Sequence, residues 1–321
     1  MSDTVDGAEP NLARGWQRVV AFVETTKFRS VVLLSLGTVV GGAAGLAALA
    51  AGSAGPGGAV SSFAPAVRAA ALVRLGWATL ATALGCMGAN AITGYVDRVM
   101  DGVMDRTRHR PLPTGRLRPA DSLWFGLALA AAACALAAAT TNASAVGWLL
   151  FGLLDSTVVY NSLTKPRTSL NVILGSPAGG APVMVGAAAV SGEPFALVPV
   201  LVAALVVAWT PVHIWSLAIR HVDDYRKAGV PMLPVALGVP TAARCVGGAS
   251  LALCGVAAAL AVVAGFSLPA LVLTLALQAP ILAESLAVMR RPTPRRARRL
   301  FKLSSPYLAA LFVIVIWQSL V

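Results

Sequence analysis

The sequence predicts an all-α membrane protein with nine transmembrane helices, and composition, the length of the apolar runs and loop charge all indicate this class. Of the 321 residues, 57% are hydrophobic and 12% are charged, and the mean hydropathy is +0.78. A water-soluble domain of this size needs more polar surface. The net charge of +12 does not indicate nucleic-acid binding, because the basic residues lie in short loops between apolar runs.

The predicted helices follow from nine apolar segments, most of which reach the roughly 20 residues that a helix needs to cross a bilayer. They cover residues 31–51, 72–93, 122–140, 145–164, 170–191, 195–219, 241–265, 268–289 and 305–321. Their many Ala and Gly residues let helices approach closely within a membrane. We expect one transmembrane domain over residues 21–321, preceded by a polar, disordered cytoplasmic segment 1–20 that is not a cleavable signal peptide.

Basic residues set the predicted orientation in the cell membrane. Twenty-three of the 25 lysines and arginines lie in the N-terminal segment and in the loops after the second, fourth, sixth and eighth helices; Arg68 and Arg74 are the exceptions. The N-terminus should therefore face the cytoplasm and the C-terminus the far side. Two clusters of acidic residues then face the cytoplasm as well, although acidic residues played no part in setting the orientation.

The first acidic cluster, Asp97, Asp101 and Asp105, has the spacing i, i+4, i+8. On a helix these side chains lie along one face, where two or three of them can share divalent cations. Mg²⁺ prefers oxygen ligands and commonly joins one or two carboxylates to substrate phosphates. The alternative is a solvated loop in which the acids pair with the arginines beside them.

The second acidic cluster, Asp223 and Asp224, lies in a short segment that ends in two prolines, which stop a regular helix. Adjacent residues cannot both point along one helix face, so one should meet metal while the other orients a basic group or caps a helix. Two acidic clusters on one side of the membrane suit two metal ions that hold one diphosphate. The sequence therefore predicts an enzyme whose Mg²⁺ site is formed by Asp97 and Asp101 together with one or both of Asp223 and Asp224.

Four other ionisable side chains lie in or beside the apolar segments. Lys165 and Arg167 end the fourth helix on the same side as the acids, where they either stabilise a departing diphosphate or anchor the helix at the membrane surface. His213 lies within the sixth helix and suits haem ligation, proton transfer or a hydrogen-bonded core position. Asp155 lies within the fourth helix without an evident partner.

Further motifs continue along the chain from about residue 20 to 320. They are DRVMDGVMDRTRHRPLPTG over 97–115, Tyr160 with KPR over 165–167, AGGAP over 178–182, WTPVHIW over 209–215, DDYRKAGVPMLP over 223–234 and RLF over 299–301. In this order the motifs resemble those of the protohaem IX farnesyltransferases, which belong to the UbiA superfamily of intramembrane prenyltransferases.

The resemblance implies nine helices around a central cavity, with cytoplasmic loops that cap a diphosphate site. It implies that farnesyl diphosphate, haem B and water react to give haem O and diphosphate, with Mg²⁺ as cofactor and the lipid bilayer as environment. The implied catalytic residues are Asp97, Asp101, Asp223, Asp224 and Lys165. The implied substrate-binding residues are Asn90, Arg106, Arg110, Tyr160, Arg167, His213 and Tyr225.

Four departures from the family pattern leave alternatives open. The segment 26–29 reads TKFR where members have Thr-Lys-Pro-Arg, and Asp155 lies where an apolar or aromatic residue is expected. Thr93 stands where members usually have Asn, and Val99 stands where a further acid is common. A divergent enzyme that prenylates another acceptor, such as a phenol, is the main alternative. A transporter or channel would also explain the helices, but the acids lie at one side of the membrane and no inverted repeat is visible. A haem-binding scaffold without catalysis is the third alternative.

Overall fold

The computed structural model describes residues 9–54 and 64–320, and all regular structure in this part of the chain is helical. Nine helices within the described ranges are long and apolar enough to cross a membrane, which confirms the predicted fold class. In chain order the helices are α1 (Glu9–Thr25), α2 (Phe28–Ala54), α3 (Pro65–Val103), α4 (Pro119–Thr140), α5 (Ala143–Leu154), a π-helix (Asp155–Thr164), α6 (Asn171–Gly175), α7 (Pro177–Ser191), α8 (Leu197–Arg220), α9 (Val222–Lys227), α10 (Leu233–Ala236), α11 (Val239–Val263), α12 (Leu268–Arg290) and α13 (Pro294–Leu320).

Two spans extend well beyond the predicted apolar segments. Helix α3 covers Pro65–Val103 rather than 72–93, and α13 begins at Pro294 rather than at residue 305. Proline suits the first helical position because its missing N–H would have no partner there. Hydropathy misses the additional turns because they are polar. The last turns of α3 consequently carry Asp97 and Asp101 on a continuous helix rather than in a loop.

Helix α7 lies at the centre of the bundle and packs against α2, α3, α5 and α8. Its residues from 180 to 190 are buried in succession. Small residues make the approach to α2 possible, since a methyl group added at Gly41 or Gly186 would collide with the backbone of the facing helix. Such close contact supplies the dispersion attraction that holds helices together where water does not drive their association.

The fourth span changes from an α-helix to a π-helix at Asp155. Its widened turn is visible where the Lys165 backbone N–H donates to the Tyr160 carbonyl, five residues back, at 2.8 Å. Short π segments are rare and often lie at functional sites. The buried Asp155 carboxylate accepts a hydrogen bond of 2.8 Å from the Ala178 N–H at the start of α7. Asp155, whose role the sequence left open, therefore caps α7 and meets the positive end of its dipole.

The structure describes the N-terminal segment from Glu9 onwards. Residues 1–8 lie outside the described part of the chain, so their disorder stays a prediction, as does a domain start at residue 21. The structure differs from the expected disorder over residues 9–20, which belong to α1. Ala21 and Phe22 pack against the connection between α3 and α4. This packing stabilises a helix that is too polar for a hydropathy profile to detect.

Candidate active site

The spans that contain α3, the π-helix and α8 all end at one end of the bundle, because consecutive spans alternate in direction. This end, which we call the site end, also holds the α3–α4 connection over 104–118 and helix α9. Most of the predicted site residues lie there.

Asp97 lies on α3 and is buried against two side chains of the fourth span. Lys165 Nζ lies 2.5 Å from Asp97 Oδ2, and Asn161 Nδ2 donates to Asp97 Oδ1 at 3.2 Å. Lys165 also lies 5.9 Å from the centre of the Tyr160 ring. A buried carboxylate needs both a counter-charge and hydrogen bonds, and this group receives both. The sequence analysis missed Asn161, for which the i, i+4 spacing to Lys165 was the available signal.

Asp101, one turn further along α3, forms a second ion pair. Arg110 Nη1 donates to Asp101 Oδ2 at 2.8 Å, and the Thr107 hydroxyl donates to the Asp101 backbone carbonyl at 3.0 Å. The side chain of Asp101 is 7% exposed and that of Arg110 is 31% exposed. Both residues line a pocket of 340 Å³ that Lys27 also borders. The second pair therefore remains accessible to a polar ligand.

The two acidic clusters meet at the site end. Asp224 Oδ1 accepts a hydrogen bond of 3.3 Å from the Asp105 backbone N–H, and Lys227 Nζ donates to Asp105 Oδ2 at 3.0 Å. His221 Nδ1 lies 3.6 Å from Asp224 Oδ2. Burial lowers the pKa of His221 and neighbouring arginines lower it further, while Asp224 opposes them. Burial and the neighbouring arginines therefore favour the neutral form of His221, which weakens it as a counter-charge for Asp224.

Arg106 and Tyr225 connect the α3–α4 connection to α9. Arg106 Nη2 donates to the Tyr225 hydroxyl at 3.4 Å, and its guanidinium carbon lies 5.9 Å from the centre of the Tyr225 ring. Arg106 Nε is buried and has no hydrogen-bond partner among the described residues. Such an unsatisfied donor costs about 1–3 kcal/mol. Because this Nε atom is fully buried, a ligand could reach it only if the Arg106 side chain moved.

Lys27 is a site residue that the sequence analysis did not assign. It occupies the turn between α1 and α2 with a φ of +51°, in the left-handed region that residues with a Cβ rarely adopt. Burial, Arg110 and Lys165 lower the pKa of Lys27 against the opposing effect of Asp97 and Asp101, and the net value is about 8. Lys27 thus adds a third cation between the two buried ion pairs. In the sequence, the segment TKFR over 26–29 stood out only as a departure from the family pattern, and no role was assigned to its lysine.

An apolar cavity of 310 Å³ lies inside the bundle beside these ion pairs. Its lining includes Asn90 and Tyr160 at the site end and Trp148 further inside. Asn90 Nδ2 donates to the Thr26 carbonyl at 2.8 Å and therefore also holds the turn that carries Lys27. The cavity agrees with the central cavity that the family resemblance implied, and its walls offer an apolar chain a dry environment.

The structure does not bring Asp223, Arg167 or His213 to the ion pairs. Asp223 is 77% exposed and pairs with Arg226 at 2.5 Å. Arg167 donates to the Ser162 and Leu163 carbonyls and so caps the π-helix. Adjacent residues cannot share one helix face, which explains why Asp224 turns inward while Asp223 turns outward.

His213 packs between α8 and α13. Its ring stacks on Trp209 with centroids 4.4 Å apart and lies 4.2 Å from the centroid of Phe301. Its Nδ1 lies 2.8 Å from the Ser304 hydroxyl. The cavity lining on α8 consists instead of Thr210 and Ile214. The structure gives His213 an interhelical packing position, and its substrate-binding role stays a prediction.

Thr93 and Val99, which depart from the family pattern, have different structural surroundings. Thr93 is 8% exposed, and its backbone carbonyl accepts a hydrogen bond of 3.4 Å from Asn161 Nδ2. Val99 is 73% exposed and points away from the buried carboxylates. The absence of an acid at residue 99 therefore leaves the buried ion pairs unchanged.

The carboxylate oxygens of the site suit Mg²⁺ if substrate phosphates supply some of its ligands. Among the residues that the structure describes, no three His, Cys, Asp or Glu side chains are grouped closely enough to hold a metal ion by themselves. Mg²⁺ is usually bound through one or two carboxylates, water and substrate phosphates. The buried carboxylates of Asp97, Asp101 and Asp224, beside the unsatisfied Nε of Arg106, suit that mode of binding.

Comparison with known proteins gives a consistent picture. The model of the UbiA prenyltransferase family matches residues 53–306. The protohaem IX farnesyltransferase of Desulforudis audaxviator is 42% identical over 245 residues, which cover 74% of this chain and 76% of the relative. The apo structure of a UbiA homologue from Aeropyrum pernix K1 has a TM-score of 0.66 at 21% identity and covers 91% of this chain and 97% of that one.

A second solved structure is that of a UbiA homologue from Archaeoglobus fulgidus bound to DMAPP and Mg²⁺. It has a TM-score of 0.58 at 16% identity and covers 92% of this chain and 98% of that one. At this level of identity, both structures show that the fold is shared. The chain therefore belongs to the UbiA prenyltransferase family, and it is a multi-pass membrane prenyltransferase that resembles the protohaem IX farnesyltransferases.

Proposed function

We propose that this protein transfers the farnesyl group of farnesyl diphosphate to a vinyl group of haem B, with water, and so produces haem O and diphosphate. The proposal rests on one observation. Two buried ion pairs, Asp97–Lys165 and Asp101–Arg110, lie beside an apolar cavity of 310 Å³. The acceptor and the prenyl group follow from the similarity to the Desulforudis audaxviator enzyme.

We propose Mg²⁺ as the cofactor, by analogy with the Archaeoglobus fulgidus homologue that was solved with Mg²⁺ and an allylic diphosphate. Asp97, Asp101 and Asp224 would hold it through carboxylate oxygens. When bound, Mg²⁺ would neutralise diphosphate charge and make diphosphate a better leaving group. The sequence-based prediction that Asp223 is a further ligand is left out of this proposal, because its carboxylate is exposed.

The basic residues of the site end supply the other half of diphosphate recognition. Lys165 and Arg110 are already held by carboxylates at 2.5 and 2.8 Å, so they need little reorganisation when charge develops on the leaving oxygen. Arg106 adds a positive charge beside Tyr225, and Lys27 adds a charge between the pairs. Preorganised donors of this kind are a major source of rate enhancement.

The cavity separates the reacting carbon chain from water. In the proposed reaction the bond between the first farnesyl carbon and the diphosphate oxygen breaks, and the oxygen keeps the electron pair. The haem vinyl group then forms a carbon–carbon bond to that carbon, and water adds to the resulting cation and loses a proton. Apolar walls such as Leu149 and Val185 delay the entry of water until the carbon–carbon bond has formed.

The proposed location is the cell membrane, with the N-terminus and the site end in the cytoplasm. Support comes from the distribution of lysine and arginine among the loops, which usually follows the positive-inside rule. In this orientation the site faces the compartment in which soluble diphosphates are available.

The test uses the purified full-length protein in lipid nanodiscs with farnesyl diphosphate, Mg²⁺ and haem B. We expect diphosphate release and a haem product whose mass has increased by one farnesyl and one hydroxyl group. Reactions with EDTA, and reactions with 4-hydroxybenzoate in place of haem B, run in parallel. A prenylated phenol with unchanged haem would replace the proposed acceptor, and the absence of product with either acceptor would refute prenyl transfer to both.

A further inference from the structure

Helix α1 has two apolar faces, and only one of them is covered by protein. On the covered face, Ala21 is fully buried and Phe22 lies 4.9 Å from Phe125, ring centroid to ring centroid. Arg18 and Glu24 fix the helix through ion pairs with Asp121 at 2.9 Å and Arg116 at 2.6 Å. These contacts place α1 against the site end of the bundle.

The other apolar face of α1 is exposed. Trp16, Val19, Val20 and Val23 follow the spacing i, i+3, i+4, i+7, and they are 69%, 51%, 37% and 56% exposed. Together with Phe28 at the start of α2 they line a cleft of 670 Å³. An apolar surface this continuous and regular is uncommon on the water-exposed part of a protein and marks an interaction site.

The cleft is continuous with the membrane-facing surface of the protein. Phe28 and Val32 lie on one face of α2, a transmembrane span, and are 64% and 53% exposed. Arg29 borders the cleft and makes no ion pair with any residue that the structure describes. An apolar stripe that contains a Trp, with arginine at its edge, suits the boundary between acyl chains and anionic headgroups.

We propose that α1 lies in the plane of the membrane surface at the site end, with its exposed apolar face in contact with lipid acyl chains. Its 17 residues include two glutamates and two arginines, so this helix is too polar to span a bilayer, and its ion pairs keep its opposite side on the protein. The segment 1–8, MSDTVDGA, contains two aspartates and few apolar residues, so it fits the cleft poorly.

The test measures which tryptophans are quenched by brominated phospholipids in nanodiscs that hold one copy of the full-length protein. Trp124 on α4 is 70% exposed and Trp16 is 69% exposed, whereas Trp215 is 6% exposed. We expect Trp16→Phe to remove at least as much quenching by lipids brominated near the headgroup as Trp124→Phe does. Trp215→Phe, the buried control, should remove none.

Two results would overturn the proposal. In the first, Trp16→Phe leaves lipid quenching unchanged while it removes quenching by aqueous iodide, which places Trp16 in water. In the second, Trp16 becomes accessible to lipid only after residues 2–8 are deleted, which makes the chain's own N-terminus the occupant. Because quenching requires no catalysis, either result leaves the proposed prenyl transfer untouched.

Discussion

The five aspartates of the two acidic clusters divide into a buried group and an exposed group. The side chains of Asp97, Asp101 and Asp224 are 8%, 7% and 11% exposed, whereas those of Asp105 and Asp223 are 59% and 77% exposed. The buried side chains face the polar centre of the site end. The exposed ones pair with Lys227 and Arg226 on the surface.

The difference shows that membership in an acidic motif does not by itself place a side chain in the buried centre of the site end. A surface ion pair contributes about 0–1 kcal/mol because water and salt screen it. A buried charge costs several kcal/mol to desolvate, and its partner rarely repays the cost in full. Buried carboxylates at one end of an apolar bundle therefore indicate a site that is retained for function.

The largest expected effect comes from removing the buried charge of Asp97, whose carboxylate contacts both Lys165 and Asn161. Asp97→Asn should lower kcat/KM by roughly 10²–10³, because it removes a proposed metal ligand and leaves Lys165 without its counter-charge. Haem product mass and diphosphate release measure this change, and thermal unfolding in nanodiscs checks that the variant is folded. Activity within a few-fold of the wild type would show that burial at residue 97 serves packing alone.

A double-mutant cycle on the Asp97–Lys165 pair distinguishes a structural role of the pair from a catalytic one. Lys165→Gln should lower kcat/KM by about 10². If the pair only stabilises the fold, the double variant Asp97→Asn with Lys165→Gln recovers activity relative to each single variant, because no unpaired charge remains. We expect no recovery, since each residue would contact substrate or its metal. The measurement is kcat/KM of the wild type, the two single variants and the double variant.

Lys27 extends the comparison to a residue outside the acidic motifs. Lys27→Gln should raise KM for farnesyl diphosphate about tenfold, because a charge-assisted hydrogen bond contributes about 1.5–3 kcal/mol. Arg29→Gln is the matched control: the residue is basic, exposed and two positions away, and its KM should stay near that of the wild type. Equal effects of both substitutions would indicate general electrostatic attraction instead of a specific contact.

The smallest effect should come from the exposed aspartate of the second cluster. Asp223→Asn should change kcat/KM by less than about threefold, because its pair with Arg226 is a surface ion pair. Asp224→Asn should lower kcat/KM by at least about tenfold, because its carboxylate is buried and faces the site. A loss at residue 223 as large as that at residue 224 would mean that α9 reorients when substrate binds.

The sequence predicted the nine spans well because transmembrane helices require long apolar runs, and such runs can be read locally. It also predicted that Asp97 and Asp101 share a helix face, since the i, i+4 spacing fixes this. It did not predict α1, whose stability depends on Phe22 packing against a segment about 100 residues away. It also left open which of Asp223 and Asp224 points inward.

Composition and local spacing alone thus established an α-helical membrane protein with acidic and basic groups gathered at one side of the bilayer. Only the tertiary structure decided which of those groups meet. It paired Asp97 with Lys165, placed Lys27 between the buried ion pairs and packed His213 against α13. Periodicity is a property of one helix, whereas a contact between two helices depends on how both are rotated and packed.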